Sequence, residues 1–228
     1  SLNPVMRIGD QLMLTIREHA EEGEIPNKET QLKQVEELLY RVGLKPAVVR
    51  LYPHELSGGM KQRACIAQAI SLNPQLILAD EPTSALDVVV QRQIMQTLRK
   101  LQNELDATVL LVGHDMGLMA QFAERVGIMY GGKLVEVGPV EEIFHKPQHP
   151  YTQLLISSIP NFEIKGEFKG IPGVGLSLLD PPTGCLFHPR CPKAMDRCKS
   201  VEPQLKEVAA DQLASCLLHE EDQHAPAS

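Results

Sequence analysis

The sequence predicts an α/β fold with a parallel sheet, and three observations carry that expectation. Two short, almost wholly apolar runs, QLILAD (75–80) and TVLLV (108–112), read as strands covered on both faces. Between them Ile94, Leu98, Leu101 and Leu105 recur at helical spacing. Strand, helix, strand, helix in that order is the pattern of a layered parallel sheet.

The remaining elements follow in chain order. The first 45 residues read as mainly helical, with Leu32, Val35, Leu39 and Val42 on one face of a helix over 29–43, and Gly43 where a terminating glycine belongs. Ser57-Gly58-Gly59 opens a helix that runs to about Leu72, where Asn73-Pro74 stops it. A helix starts near Asp87, another spans about 116–124, and VEEIF (140–144) makes a short one. GIMYGGK (127–133) fits most of the phosphate loop G-x-x-x-x-G-K-[ST], but Leu134 stands where the Mg²⁺-ligating hydroxyl is needed. Apolar runs on both sides of Gly131-Gly132 indicate a hairpin over 126–137 instead, expected to close the sheet. Beyond Lys146 the composition turns to Pro, Gly and Cys with little periodicity, as in a separate small module. The expected domains are therefore 1–73 (helical), 74–145 (α/β) and 146–228 (C-terminal extension).

A chain of 228 residues with 43% apolar residues can bury a sizeable core in one or two domains. Its net charge of −7 argues against a nonspecific nucleic-acid binder. No apolar run reaches the roughly 18 residues that span a bilayer, so a soluble protein is expected, one able to dock on a membrane protein. The opening SLNPVMRIGD lacks an initiator Met and reads as the interior of a longer protein.

Chemistry concentrates at the strand ends. Asp80 and Glu81 close the first apolar strand, at the edge where open α/β sheets place ligands. One such carboxylate can hold Mg²⁺ and the next can polarise an attacking water. His114 follows the second strand, on the same edge if the strands are parallel, where it could donate to a terminal phosphate. In LSGGMKQ (56–62) two glycines precede a helix, whose N-terminal amides and dipole suit an anion.

LSGGMKQ, LILADEP (76–82), SALD (84–87) and GHD (113–115), in this order and spacing, resemble the ATP-binding subunits of ABC transporters. The resemblance implies a partial ABC ATPase domain of the P-loop NTPase kind. It implies that Leu56–Gln62 is the signature motif, Leu76–Glu81 the Walker B strand, Ser84–Asp87 the D-loop and His114 the switch histidine. Asp80 would then position Mg²⁺, Glu81 would be the catalytic base and His114 would contact the γ-phosphate. Ser57, Gly58, Gly59 and Gln62 would grip ATP held by a partner subunit, with Asp87 communicating across the dimer. Gly113 departs from the Ser or Thr commoner before that histidine. The family's phosphate and glutamine loops lie upstream, and SLNPVMRIGDQL is similar to the stretch just after the glutamine loop. The 228 residues alone are thus expected to be inactive.

Cys185, Cys191, Cys198 and Cys216 stand at C-x5-C-x6-C-x17-C, without the tight C-x2-C of ordinary zinc ribbons. Clustered cysteines in a reducing compartment suit Zn²⁺ or a [4Fe–4S] cluster. HPYTQLL (149–155), IPG (171–173) and GCLFHPRCPKAMDRC (184–198) look like the tail of dipeptide/oligopeptide permease ATPases, which implies that the four cysteines ligate [4Fe–4S], zinc being the alternative. A module with few aromatics is expected to bury little core, which makes a metal staple for folding the plain expectation and redox gating the sharper one. His188 and His219 are expected on the surface, and Cys65 buried as a small hydrophobe.

The function this resemblance implies is ATP-driven energy coupling in a peptide importer, on the cytoplasmic face of the inner membrane. Expected partners are a second ATPase subunit, in a homodimer or heterodimer, two membrane-spanning permease subunits docked by the region about 1–50 and, indirectly, a substrate-binding protein. One alternative is a non-hydrolysing subunit that lends its signature to another's ATP. A second is a soluble ABC protein acting on DNA or ribosomes, against which the tail and the acidic charge weigh.

Overall fold

The computed structural model describes residues 2–20, 27–159 and 170–220. Ser1 of the opening stretch lies outside them. The chain divides into two compact units, 1–114 and 115–228.

In the first unit, α1 (Ile8–Glu18), α2 (Lys28–Arg41) and α3 (Gly58–Ile70) pack on one another, and α3 also packs on α4 (Val88–Leu105). Each helix turns its apolar stripe inward. Ile8 and Leu12, then Val35, Leu39 and Val42, Ala67 and Ile70, and Ile94 and Leu101 are buried. α2 starts on the side chain of Asn27, which accepts from the Thr30 amide, and ends at Gly43, whose φ of +76° is the left-handed turn that glycine makes without strain. Arg63 fastens this end to α4 by donating to the Val42 carbonyl at 2.7 Å and to Thr97 Oγ1 at 3.3 Å.

β1 (Leu76–Asp80) and β2 (Thr108–Val112) pair in parallel, from Leu76 opposite Thr108 to Asp80 opposite Val112. The expectation that both strands are covered on both faces is corrected. Ile77 is buried, but Leu76, Leu78, Leu110 and Val112 point to one side and are exposed, Leu78 at 68%. Among the described residues these strands form a two-stranded sheet, and no further layer covers that side.

In the second unit, α5 (Met116–Phe122) leads into β3 (Arg125–Tyr130), which turns back as β4 (Lys133–Pro139). Gly131 and Gly132 have φ of +58° and +80°, the two positive values that a tight hairpin turn demands. GIMYGGK is therefore a hairpin, as its pattern predicts. The hairpin does not close the β1–β2 sheet; it belongs to a separate sheet, in which β4 lies between β3 and a strand of the tail. β5 (Lys206–Ala209) and β6 (Gln212–Ala214) come from the tail, and β6 lies antiparallel to β4, with Glu136 opposite Ala214. α6 (Val140–His145) and α7 (Pro150–Ser157) connect hairpin and tail. The tail also shares the aromatic core: Phe187, 1% exposed, meets Tyr130 at 5.2 Å and Tyr151 at 5.3 Å between ring centres. The expectation of a tail with little core is corrected accordingly, because Phe187 is supplied with ring partners by the hairpin and α7.

Candidate active site and cysteine centre

The candidate catalytic edge is built where β1 ends. Pairing with β2 continues one residue beyond the strand, since the Glu81 amide donates to the Val112 carbonyl at 2.9 Å. Glu81 then turns with φ of +46°, a left-handed conformation unusual for a residue with a long side chain. The Glu81 carbonyl accepts from the Ser84 amide at 3.1 Å, which holds the turn closed. Its carboxylate Oε1 lies 2.9 Å from Nδ1 of His114, two residues past the end of β2. The imidazole is 82% exposed and the Glu81 side chain 41% exposed, so the pair faces solvent at the carboxyl ends of both strands. Parallel pairing thus brings together two residues 33 positions apart. Asp80 ends β1, exposed beside them in sequence.

Ser57 is the N-cap of α3, accepting from the Met60 amide at 3.3 Å. Gly58 and Gly59 form the first turn of that helix, and Gln62 lies one turn further on, half-buried. Asp87 caps α4 in the same way, accepting from the Val90 amide at 3.0 Å. No hydrogen bond or ion pair among the described residues joins Ser57, Gln62 or Asp87 to the Glu81–His114 pair. The structure adds Leu86 and Val90, which touch the places where Gly58 and Gly59 lack side chains. Their apolar character gave no chemical signal in the sequence.

The four tail cysteines line one small cavity together with His149, Phe187, His188 and Lys193. All four are free thiols. Burial pushes up the thiols of Cys185, Cys191 and Cys216, that of Cys216 to about 11, and neighbouring cysteines raise each further. Backbone amides of Phe187, Lys193 and Leu218 oppose the rise by donating to Cys185, Cys191 and Cys216 respectively. Among the described residues, however, no group of three or more His, Cys, Asp or Glu side chains is arranged to hold a metal ion. The expectation of a metal-binding module is corrected to this extent: the four cysteines converge on one cavity, but the described residues do not form a metal-holding group there. The donor set itself suits a metal, since crowded thiols with amide donors become thiolates once a cation offsets their mutual repulsion.

His188 and His219 are half-buried rather than on the surface. His188 Nδ1 lies 2.9 Å from the Cys185 carbonyl, and His219 Nε2 3.2 Å from that of Gln148. Cys65 is half-buried, with its thiol pushed up by burial. His149 escaped the sequence reading: it is 2% exposed, its Nδ1 accepts from the Tyr151 amide at 3.0 Å, and burial with His219 nearby lowers its pKa to about 4.

Two family descriptions match the chain: "ABC transporter" over residues 2–84 and "Oligopeptide/dipeptide transporter, C-terminal region" over residues 135–198. The dipeptide transport ATP-binding protein DppD of Escherichia coli is 43% identical over 219 residues, covering 95% of this chain and 66% of its own length. A peptide import ATP-binding protein of Brucella ovis is 44% identical over 230 residues, covering 97% and 67%. The oligopeptide transport ATP-binding protein AppF of Bacillus subtilis is 45% identical over 191 residues, with 82% and 58% covered. The chain thus spans about two thirds or less of the length of these relatives. Among solved structures, the ATP-binding cassette MJ0796, in a dimeric post-hydrolysis state bound to ADP and Pi, is similar with a TM-score of 0.55 and 32% identity over 61% of this chain and 59% of that one. With identity above two fifths along nearly the whole chain and both family patterns in register, the chain belongs to the ATP-binding proteins of ABC transporters of the dipeptide/oligopeptide type.

Proposed function

We propose that the protein is the ATP-hydrolysing, energy-coupling subunit of an importer of dipeptides or oligopeptides. The observation that carries this reading is the Glu81–His114 contact of 2.9 Å at the carboxyl ends of two parallel strands. In this reading Glu81 orients and deprotonates the attacking water, and His114 holds Glu81 and meets the γ-phosphate. Asp80 positions Mg²⁺. Ser57, Gly58, Gly59 and Gln62 face the ATP of a partner subunit, and Asp87 lies at that junction. A capped helix start with adjacent amides can hold phosphate. Phosphoryl transfer needs positioning and charge neutralisation more than covalent help. The sequence contains no G-x-x-x-x-G-K-[ST] loop, so these 228 residues alone should hydrolyse ATP negligibly.

The partners in this reading are a second ATPase subunit, two membrane-spanning permease subunits and, through them, a substrate-binding protein, with the subunit peripheral on the inner membrane's cytoplasmic face. Among the described residues no helix is long and apolar enough to cross a membrane. In the full-length protein assembled with its permease, Glu81→Gln should cut ATP hydrolysis and peptide uptake by roughly 10²–10⁴-fold, the scale of general-base loss. Unchanged hydrolysis would overturn the proposal. A second reading, a non-hydrolysing subunit that lends its signature, draws on the exposed start of α3. It requires the opposite pattern: hydrolysis insensitive to Glu81→Gln but lost in Ser57→Arg.

We further propose that Cys185, Cys191, Cys198 and Cys216 hold a [4Fe–4S] cluster, with Zn²⁺ as the alternative. Their convergence on one cavity supports this. When bound, the group would supply a covalent cross-link between four points of the tail. The test is anaerobic purification with analysis of metal and acid-labile sulfide. Equal iron and sulfide, lost in Cys191→Ser, supports the cluster; zinc without sulfide selects the alternative; neither rejects both.

A further inference from the structure

Gly58 and Gly59 are seated against the start of α4. A Cβ on Gly59 would stand 2.6 Å from Cγ1 of Val90, and one on Gly58 would stand 3.1 Å from Cδ2 of Leu86. Non-bonded carbons prefer about 3.5–4.0 Å, so Val90 occupies the space a side chain at position 59 would need. Backbone conformation does not explain these glycines, because neither has a positive φ. Close approach does. The contact joins two capped helix starts, with Ser57 holding the first turn of α3 and Asp87 that of α4. Val90 donates its own amide to the Asp87 cap, which fixes its backbone where it meets Gly59, and β-branching restricts its side chain to one strongly preferred rotamer in a helix. Further along the helices, Arg63 and Thr97 join the same pair.

We propose that Val90 is a positioning residue: its side chain is the pedestal that sets the placement of the Ser57–Gly59 backbone. The loop 84–87 and the glycine turn then move as one body, and a shift of the first is delivered to the second by direct contact. The proposal rests on the reading that this turn faces a partner's nucleotide. On that reading Gly59 is crowded from two sides, by phosphate and by Val90 of its own chain.

The test is a cycle of Gly59→Ala, Val90→Ala and the double variant in the full-length protein, read as the MgATP concentration for half-maximal subunit pairing and as ATP hydrolysis. Gly59→Ala should weaken pairing at least about tenfold, and the double variant should regain at least about threefold, the scale of coupling between touching residues. Val90→Thr keeps the branched shape and should keep the parental value, which a merely apolar contact would not. If the double variant does no better than Gly59→Ala, the proposal is overturned. Unfolding temperatures identify any variant that fails to fold, in which case Gly58→Ala with Leu86→Ala supplies the same cycle. Should the parental protein show no MgATP-driven pairing, the functional reading itself has failed. Should it pair while the variants combine additively, only the pedestal falls.

Discussion

Glu81 adopts a backbone conformation that costs a non-glycine residue about 1–2 kcal/mol, and it is held there by one amide bond to Val112 and one from Ser84. Strain tolerated at a strand end buys direction: the carboxylate is aimed at His114 instead of continuing the alternation of β1. Replacing Glu81 by Asn, which accepts this conformation readily, should leave the unfolding temperature equal or higher while hydrolysis falls at least about 100-fold. Differential scanning fluorimetry beside an ATPase assay checks both halves. The acidic pair and the histidine were legible in the sequence because their chemistry is rare at strand ends. The left-handed turn was not, because nothing in LADEPTS distinguishes it from an extended exit. His149 was hidden for the opposite reason: it lies between two prolines, and its environment is made by residues distant in sequence, the Phe187 ring against it and the His219 charge nearby. Its folded pKa, near 4, lies below the ordinary value of 6.5, so the unfolded chain binds the extra proton between those values. Stability from this group is present above about pH 6.5 and is lost as pH falls towards 4, amounting to ~3 kcal/mol. Thermal unfolding from pH 7 to 4.5 should show that slope, flattened in His149→Asn, which keeps an acceptor for the Tyr151 amide.

Among the elements, β4 shows how a charge becomes architectural. Glu136 is flanked by Val135 and Val137 and by alternation reads as solvent-facing, yet it is fully buried. Its Oε1 accepts from the Gln148 amide at 2.7 Å and from Gln212 Nε2 at 2.8 Å, and its Oε2 accepts from the His149 amide at 2.9 Å. One carboxylate therefore caps the approach to α7 and ties β4 to β6. Glu136→Ala would strand the buried His149 amide, remove the acceptor of the half-buried Gln148 amide and leave Gln212 Nε2 with only the Lys146 carbonyl, and should cost about 3 kcal/mol, measured by denaturant unfolding of the 228-residue chain. Helix and strand positions were largely readable: the period in α2 and α4, the Gly-Gly turn and the Asn73-Pro74 stop are local signals. Sheet membership was not. A run such as TVLLV declares a strand but not its neighbours, and β5 and β6, of four and three residues, are too short to show an alternation at all.

At the level of the whole molecule, the open side of the β1–β2 sheet sets Leu76, Leu78, Leu110 and Val112 next to one another on exposed surface. Contiguous apolar surface of this kind drives association. The 228-residue chain should therefore self-associate at micromolar concentration, and Leu78→Lys with Leu110→Lys should shift it towards monomer in sedimentation velocity, without changing its far-ultraviolet circular dichroism. The fold class was legible because apolar runs and helical periods survive any context. The layers were not, because two bare strands carry no record of what lies against them.

The joining of β6 to β4 has a consequence in time. A ribosome releases the hairpin long before the strand that borders it, because 76 positions separate Glu136 from Gln212. Throughout that interval β4 has an open rim and its carboxylate lacks the amide of Gln212, so the nascent chain is vulnerable to sticking until Gln212 has emerged.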